Sequence, residues 1–201
     1  MAGYPVSFDV QPQTTDRNRL TTAFRLILAI PQVLIAGSPG SVGLGANSST
    51  GVFGAVASVC AFLAWFAILF TGKYPRGLWD LVKTFMGWRA NVLAYAALLR
   101  DEYPPFGTGP YPVTFEVDYP EQSNRWSVAF RLILAIPQII VLALVLLAWL
   151  VTVVIAWFAI LFTGRYPAGL YGFGVGAQRW TLRVQAYLFL MRDEYPPFSL
   201  E

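Results

Sequence analysis

Histidine is missing altogether from this 201-residue chain. Its absence removes the most frequent general base and the most frequent metal ligand together. Cysteine occurs once, at Cys60 within an apolar run, so an internal disulfide is excluded and a thiolate metal cluster with it. Charge is scarce: 12% of the residues are Asp, Glu, Lys or Arg, against about 25% in an average soluble domain. With no nucleophile–base pair or metal-ligand cluster in view, the chain is expected to be non-enzymatic, with no catalytic residue, no metal and no cofactor.

The shortage of charge is concentrated. No charged residue lies between Arg25 and Lys73, or between Arg131 and Arg165. Each gap exceeds the roughly 20 apolar residues that cross a bilayer, and a soluble chain of this size has too small a core to bury both. The opening residues lack a basic segment running straight into an apolar one, so they do not read as a cleavable leader. The net charge of +3 is small and dispersed. It suits anionic lipid better than nucleic acid.

What is abundant is repetition. FRLILAIPQ at 24–32 returns letter for letter at 130–138, and AWFAILFTG at 64–72 returns at 156–164, followed each time by a cation, Tyr and Pro. RDEYPPF at 100–106 returns at 192–198, and the leader YPVSFDV at 4–10 returns as YPVTFEV at 111–117. The chain therefore divides into unit 1 at 1–106 and unit 2 at 107–201. The offset between copies falls from 106 to 92 between the first two blocks, so unit 1 carries 14 extra residues. They fall at 37–50, uncharged and rich in Gly, Ser and Asn, which reads as a surface loop.

As one straight helix, residues 128–163 would be about 54 Å long against a hydrocarbon core of roughly 30 Å. A hairpin fits that thickness better, with a tight turn near 141–143 where unit 1 carries its loop. Helices are expected over 20–36, 51–71, 125–140 and 143–163; a re-entrant first helix in each unit is the alternative. No Lys or Arg lies in the far-side loop at 37–50, so the positive-inside rule places both termini in the cytoplasm of a multi-pass inner-membrane protein. After each hairpin, 77–99 and 170–191 read as amphipathic helices for the cytoplasmic interface. Residues 6–10 and 113–117 alternate like short strands. The expected fold is an all-α membrane protein of two tandem units, each a transmembrane hairpin plus an interfacial helix, with a short strand leading each unit.

Arg25 and Arg131 sit one turn inside the apolar boundary. Contact with a lipid headgroup or a partner's carboxylate uses guanidinium's paired donors; snorkelling to the interface is the plainer reading. Pro31-Gln32 and Pro137-Gln138 bend the first helices and place an amide in lipid, to be satisfied by another helix or to line a solute pathway. Lys73, Tyr74, Arg165 and Tyr166 read as interface anchors behind the helix-ending Gly72 and Gly164. Asp101, Glu102, Asp193 and Glu194 read as a cytoplasmic turn rather than an acid–base site. The glycines at 172–176 lack the dinucleotide spacing.

The three long blocks resemble a bacterial membrane-protein family catalogued as a domain of unknown function. The resemblance covers nearly the whole chain as two units, and it implies a bacterial cytoplasmic-membrane setting without implying an activity. The function expected is a non-enzymatic accessory or scaffold subunit. It would interact with membrane lipids and with protein partners in a larger complex or with copies of itself. A small oligomeric transporter or channel is the alternative, and a lipid-acting enzyme is less well supported.

Overall fold

The computed structural model describes residues 4–37, 51–107 and 109–201. The chain runs β1 (Val6–Val10), α1 (Arg19–Ala23), α2 (Arg25–Ala36), α3 (Gly51–Thr71), α4 (Arg76–Ala96), β2 (Val113–Val117), α5 (Arg125–Thr163) and α6 (Ala168–Leu188). Apart from Gly37, the expected loop at 37–50 lies outside the described residues.

The second hairpin is not formed. α5 is one uninterrupted helix of 39 residues, about 58 Å long. Residues 139–147 are all Ile, Val, Leu or Ala, and none offers the positive φ or local backbone hydrogen bond that a tight turn requires. Pro137 lies within the helix without ending it. Asn124 opens α5 by accepting from the backbone N–H groups of Trp126 and Ser127, and left-handed Gly164 closes it.

Unit 1 builds the same rod in pieces. Phe24 joins α1 to α2 with the hydrogen-bond ladder intact. α3 then begins where α2 ends: a Cβ on Gly51 would lie 2.5 Å from both the Gly37 nitrogen and the Ile35 carbonyl oxygen. The two helices stack end to end and do not fold back on each other. Trp65 donates to the Val128 carbonyl at 3.1 Å and Trp157 to the Thr22 carbonyl at 2.9 Å. Since Val128 and Trp157 are roughly 44 Å apart along α5, Trp65 and Thr22 lie at opposite ends of the first rod. A hairpin would have brought them to the same end.

The two rods are antiparallel, and their contacts are reciprocal. Arg17 N–H donates to the Gly164 carbonyl, and Ser123 N–H to the Gly72 carbonyl, each at 3.0 Å. The strands pair antiparallel with Phe8 opposite its own counterpart Phe115. A pseudo-two-fold axis therefore passes through that pair and between the rods, level with their midpoints, the Ala36/Gly51 junction and Leu142/Ala143.

α4 and α6 form where interfacial helices were expected, but they are the interior of the molecule. Residues 88–95 of α4 and 174–178 of α6 are buried on every side. They pack along the rods and against each other, with the ribbon over them. Helical spacing of Trp and Tyr does not distinguish a lipid interface from a protein core, and here the covering surface comes from distant chain. The ribbon is crossed: β1 packs on α6, β2 on α4. Arg179 donates to the Phe8 carbonyl at 3.0 Å, and Lys83 pairs with Glu116 at 3.3 Å.

Two helices among the described residues, Gly51–Thr71 and Arg125–Thr163, are long and apolar enough to cross a membrane.

Candidate functional site

Each rod carries one narrow buried stripe, and the chain's chemistry is on it. On α5 the stripe runs through Val128, Arg131, Ala135, Gln138, Leu142, Trp149, Ala156 and Ile160. The rest of the circumference exposes Leu, Ile, Val and Phe side chains from Trp126 to Phe162. The outside is apolar, and the polar groups face inward.

Arg25 and Arg131 form matching clasps. Arg25 donates to the Arg100 carbonyl at 3.0 Å and to Asp101 Oδ1 at 2.7 Å, with its guanidinium 4.1 Å from the Tyr95 ring centre. Arg131 donates to the Tyr187 and Arg192 carbonyls at 2.9 and 2.8 Å, pairs with Asp193, and lies 4.4 Å from the Tyr187 ring centre. Each aspartate also accepts from the N-cap of its own rod, Asn18 N–H at 2.9 Å and Asn124 N–H at 2.6 Å. Both guanidiniums are buried and committed within the chain. The RDEYPPF segment is thus the strap that fastens the start of each rod to the end of the following helix.

The second fastening is at Gln32 and Gln138. Gln32 donates to the Pro104 carbonyl at 2.8 Å and accepts from Trp88 Nε1 at 2.9 Å. Gln138 donates to the Pro196 carbonyl and accepts from Trp180 Nε1 at 2.9 Å. Trp88 and Trp180 in turn meet Phe106 and Phe198 edge to face. Pro31 and Pro137 precede the glutamines inside helices that continue through them.

Lys73 and Arg165 are exposed at the rod ends, whereas Tyr74 and Tyr166 are buried in the core. The headgroup-anchor reading is therefore corrected for both tyrosines: the chain turns inward at Tyr-Pro to start α4 and α6. Burial pushes the Tyr166 phenol up to about 12.

The acidic pairs serve the straps. Arg100 holds Glu102 at 2.6 Å, and Arg192 holds Glu194 at 2.6 Å. Burial raises both glutamates, but arginine and backbone hydrogen bonds outweigh it and leave them below the ordinary carboxylate value. Among the described residues no group of three or more Cys, Asp or Glu side chains is placed to hold a metal ion.

Sequence reasoning missed Arg17, which pairs with Asp101 at 2.9 Å and donates to the carbonyls of Leu98 and Leu99 at the end of α4. Its counterpart in unit 2 is Ser123, so no repetition marked it. Trp65 and Trp157 were visible inside a repeated block, and their bonds between rods were not.

Beside each clasp lies an open apolar hollow. One of about 340 Å³ is lined by Arg25, Leu26, Ala96, Leu150, Val153 and Trp157. Its counterpart of about 490 Å³ is lined by Arg131, Leu132, Leu188, Ser58, Ala61 and Trp65. Both are open to the side where the rods expose their apolar surface.

Comparison with curated proteins and with solved structures gave no match. A family model described as a domain of unknown function, DUF4389, matches residues 49–107 and 125–199, one segment in each repeat. The chain, with its two straps and their clasps, belongs to the DUF4389 family.

Proposed function

We propose that the protein is a non-enzymatic scaffold or accessory subunit embedded in the cytoplasmic membrane of a bacterium, with both termini on the cytoplasmic side. It holds lipids and a larger membrane complex through the outer surfaces of its rods. One observation carries this reading. The rods expose apolar side chains along their whole length, while Arg25, Gln32, Arg131 and Gln138 are hydrogen-bonded inward. Unpaired polar groups are costly in lipid, and an outer surface free of them is suited to lipid and to apolar partners.

The acidic residues support the absence of catalysis. Asp101 and Asp193 are ion-paired with buried arginines, and Glu102 and Glu194 are held ionised. Acid–base chemistry at neutral pH calls for the opposite, a carboxyl raised toward 7. The transporter alternative has less support, because Gln32 and Gln138 spend both ends of their amides on protein partners.

Purification from native membranes in mild detergent tests the proposal. A reproducible protein partner or retained lipid is expected. A lone, lipid-free protein, or solute flux through reconstituted vesicles, argues against it.

A further inference from the structure

We infer that the rods do not cross the bilayer but lie flat in one leaflet of an anionic membrane, with the pseudo-two-fold axis along the membrane normal and the β1–β2 ribbon facing water. The inference rests on the membrane reading above and adds an orientation to it.

Length is the first argument. Exposed apolar side chains run from Trp126 to Phe162 on α5, about 54 Å, against a hydrocarbon core of roughly 30 Å. Upright rods would leave apolar surface in water at both ends. Tilt about the pseudo-two-fold axis removes that mismatch and leaves the second difficulty untouched.

The second argument is where the charge lies. The ribbon straddles the axis, level with the rod midpoints. Its outer face carries Asp9, 75% exposed, and Glu116, 73% exposed, beside Arg179 and Lys83. If the rods span, upright or tilted about the pseudo-two-fold axis, these groups lie at the bilayer centre. An ionised side chain there is strongly disfavoured, because hydrocarbon cannot replace its hydration. With the rods flat, the same groups face water.

Cations give the third argument. Arg19 and Arg165 are exposed at one end of the pair of rods, and Lys73 and Arg125 at the other. Spanning rods would divide them evenly between the two faces of the membrane, against the positive-inside asymmetry. Flat rods bring all four to one anionic surface, where each is attracted to the lipid headgroups.

The test uses Ile133, Leu144 and Ile155, exposed positions spaced along one face of α5. Each is replaced by Cys on a Cys60→Ala background, spin-labelled, and reconstituted in phosphatidylcholine–phosphatidylglycerol vesicles. Collision with oxygen and with a water-soluble nickel complex then gives the depth. Equal depth at all three is expected. A Leu144→Cys label deeper than its neighbours by about 16 Å overturns the inference and leaves membrane embedding standing. Labels with no oxygen enrichment anywhere overturn both. In sealed membrane vesicles of known sidedness, Arg19→Cys and Lys73→Cys should react with an impermeant maleimide from the same face; reaction from opposite faces also overturns the flat arrangement.

Discussion

Arg89 donates from Nη1 to the carbonyl oxygen of Ala36 at 2.6 Å, at the point where the first rod is interrupted. A helix end leaves carbonyls without intrahelical partners, and a cation there also meets the negative end of the helix dipole. Arg89 lies where unit 2 has Thr181, which bonds only its own helix, at Ala177, beneath an unbroken α5. The arginine and the 14 extra residues occur together in unit 1 and are both missing from unit 2.

This pairing is testable. Arg89→Thr should destabilise the full chain by about 1–3 kcal/mol, the cost of a buried acceptor left bare. Deleting 37–50 should be tolerated and should join Ala36 to Gly51 as a continuous helix. In that background Arg89→Thr should cost less than in the full chain. Thermal melts of the four proteins in detergent measure the coupling; additive effects would refute it.

Gln32→Leu and Gln138→Leu each strand a buried tryptophan N–H and a proline carbonyl. Each substitution should lower stability by about 1–3 kcal/mol per stranded group. It should also free the strap, seen as earlier proteolytic cleavage near Tyr103 or Tyr195. Melting and limited proteolysis of the matched pair check both effects.

Asp101 meets two buried arginines, Arg17 and Arg25, and Asp193 meets one, Arg131. Removing one partner of a buried ion pair costs about 3–5 kcal/mol, because the other charge is left without compensation. Asp101→Asn should therefore destabilise more than Asp193→Asn. Denaturant unfolding of the two variants ranks them, and equal losses would show that Arg17 contributes nothing to the clasp.

Glu102 and Glu194 set an acid limit. Their folded values lie below the ordinary 4.5. A depressed carboxyl contributes stability that is fully present above its unfolded value and is lost as pH falls through the folded one. Stability should hold from neutral pH to the ordinary carboxylate range and decline below it. Glu102→Gln with Glu194→Gln should flatten that decline, read by tryptophan fluorescence across an acid titration. Both side chains are about half exposed, so the effect should be modest and smaller in salt.

Features with local causes were legible in the sequence. Val6–Val10 and Val113–Val117 alternate and form strands; Gly72 and Gly164 end helices because a left-handed residue is required there. Features with distant causes were not. Bilayer thickness and the loop of unit 1 suggest a hairpin over residues 128–163, although nothing between Ile139 and Leu147 breaks a helix. Residues 77–99 and 170–191 read as interfacial helices because the chain that covers Trp88, Tyr95, Trp180 and Tyr187, Tyr103 to Phe106 and Tyr195 to Phe198, lies beyond them. Arg25 and Arg131 stand out in the sequence by lying one turn inside an apolar boundary, whereas their partners Asp101 and Asp193 lie in a motif that reads as a turn.

The crossed ribbon makes each unit depend on the other. Because β1 roofs α6 and β2 roofs α4, neither unit closes its own interior. Half of this chain, produced alone, should be found as a homodimer in which two copies exchange strands. In the tandem chain the same encounter is tethered rather than concentration-dependent. The tether also lets Arg17, Arg89 and the extra segment be present in one half and absent from the other.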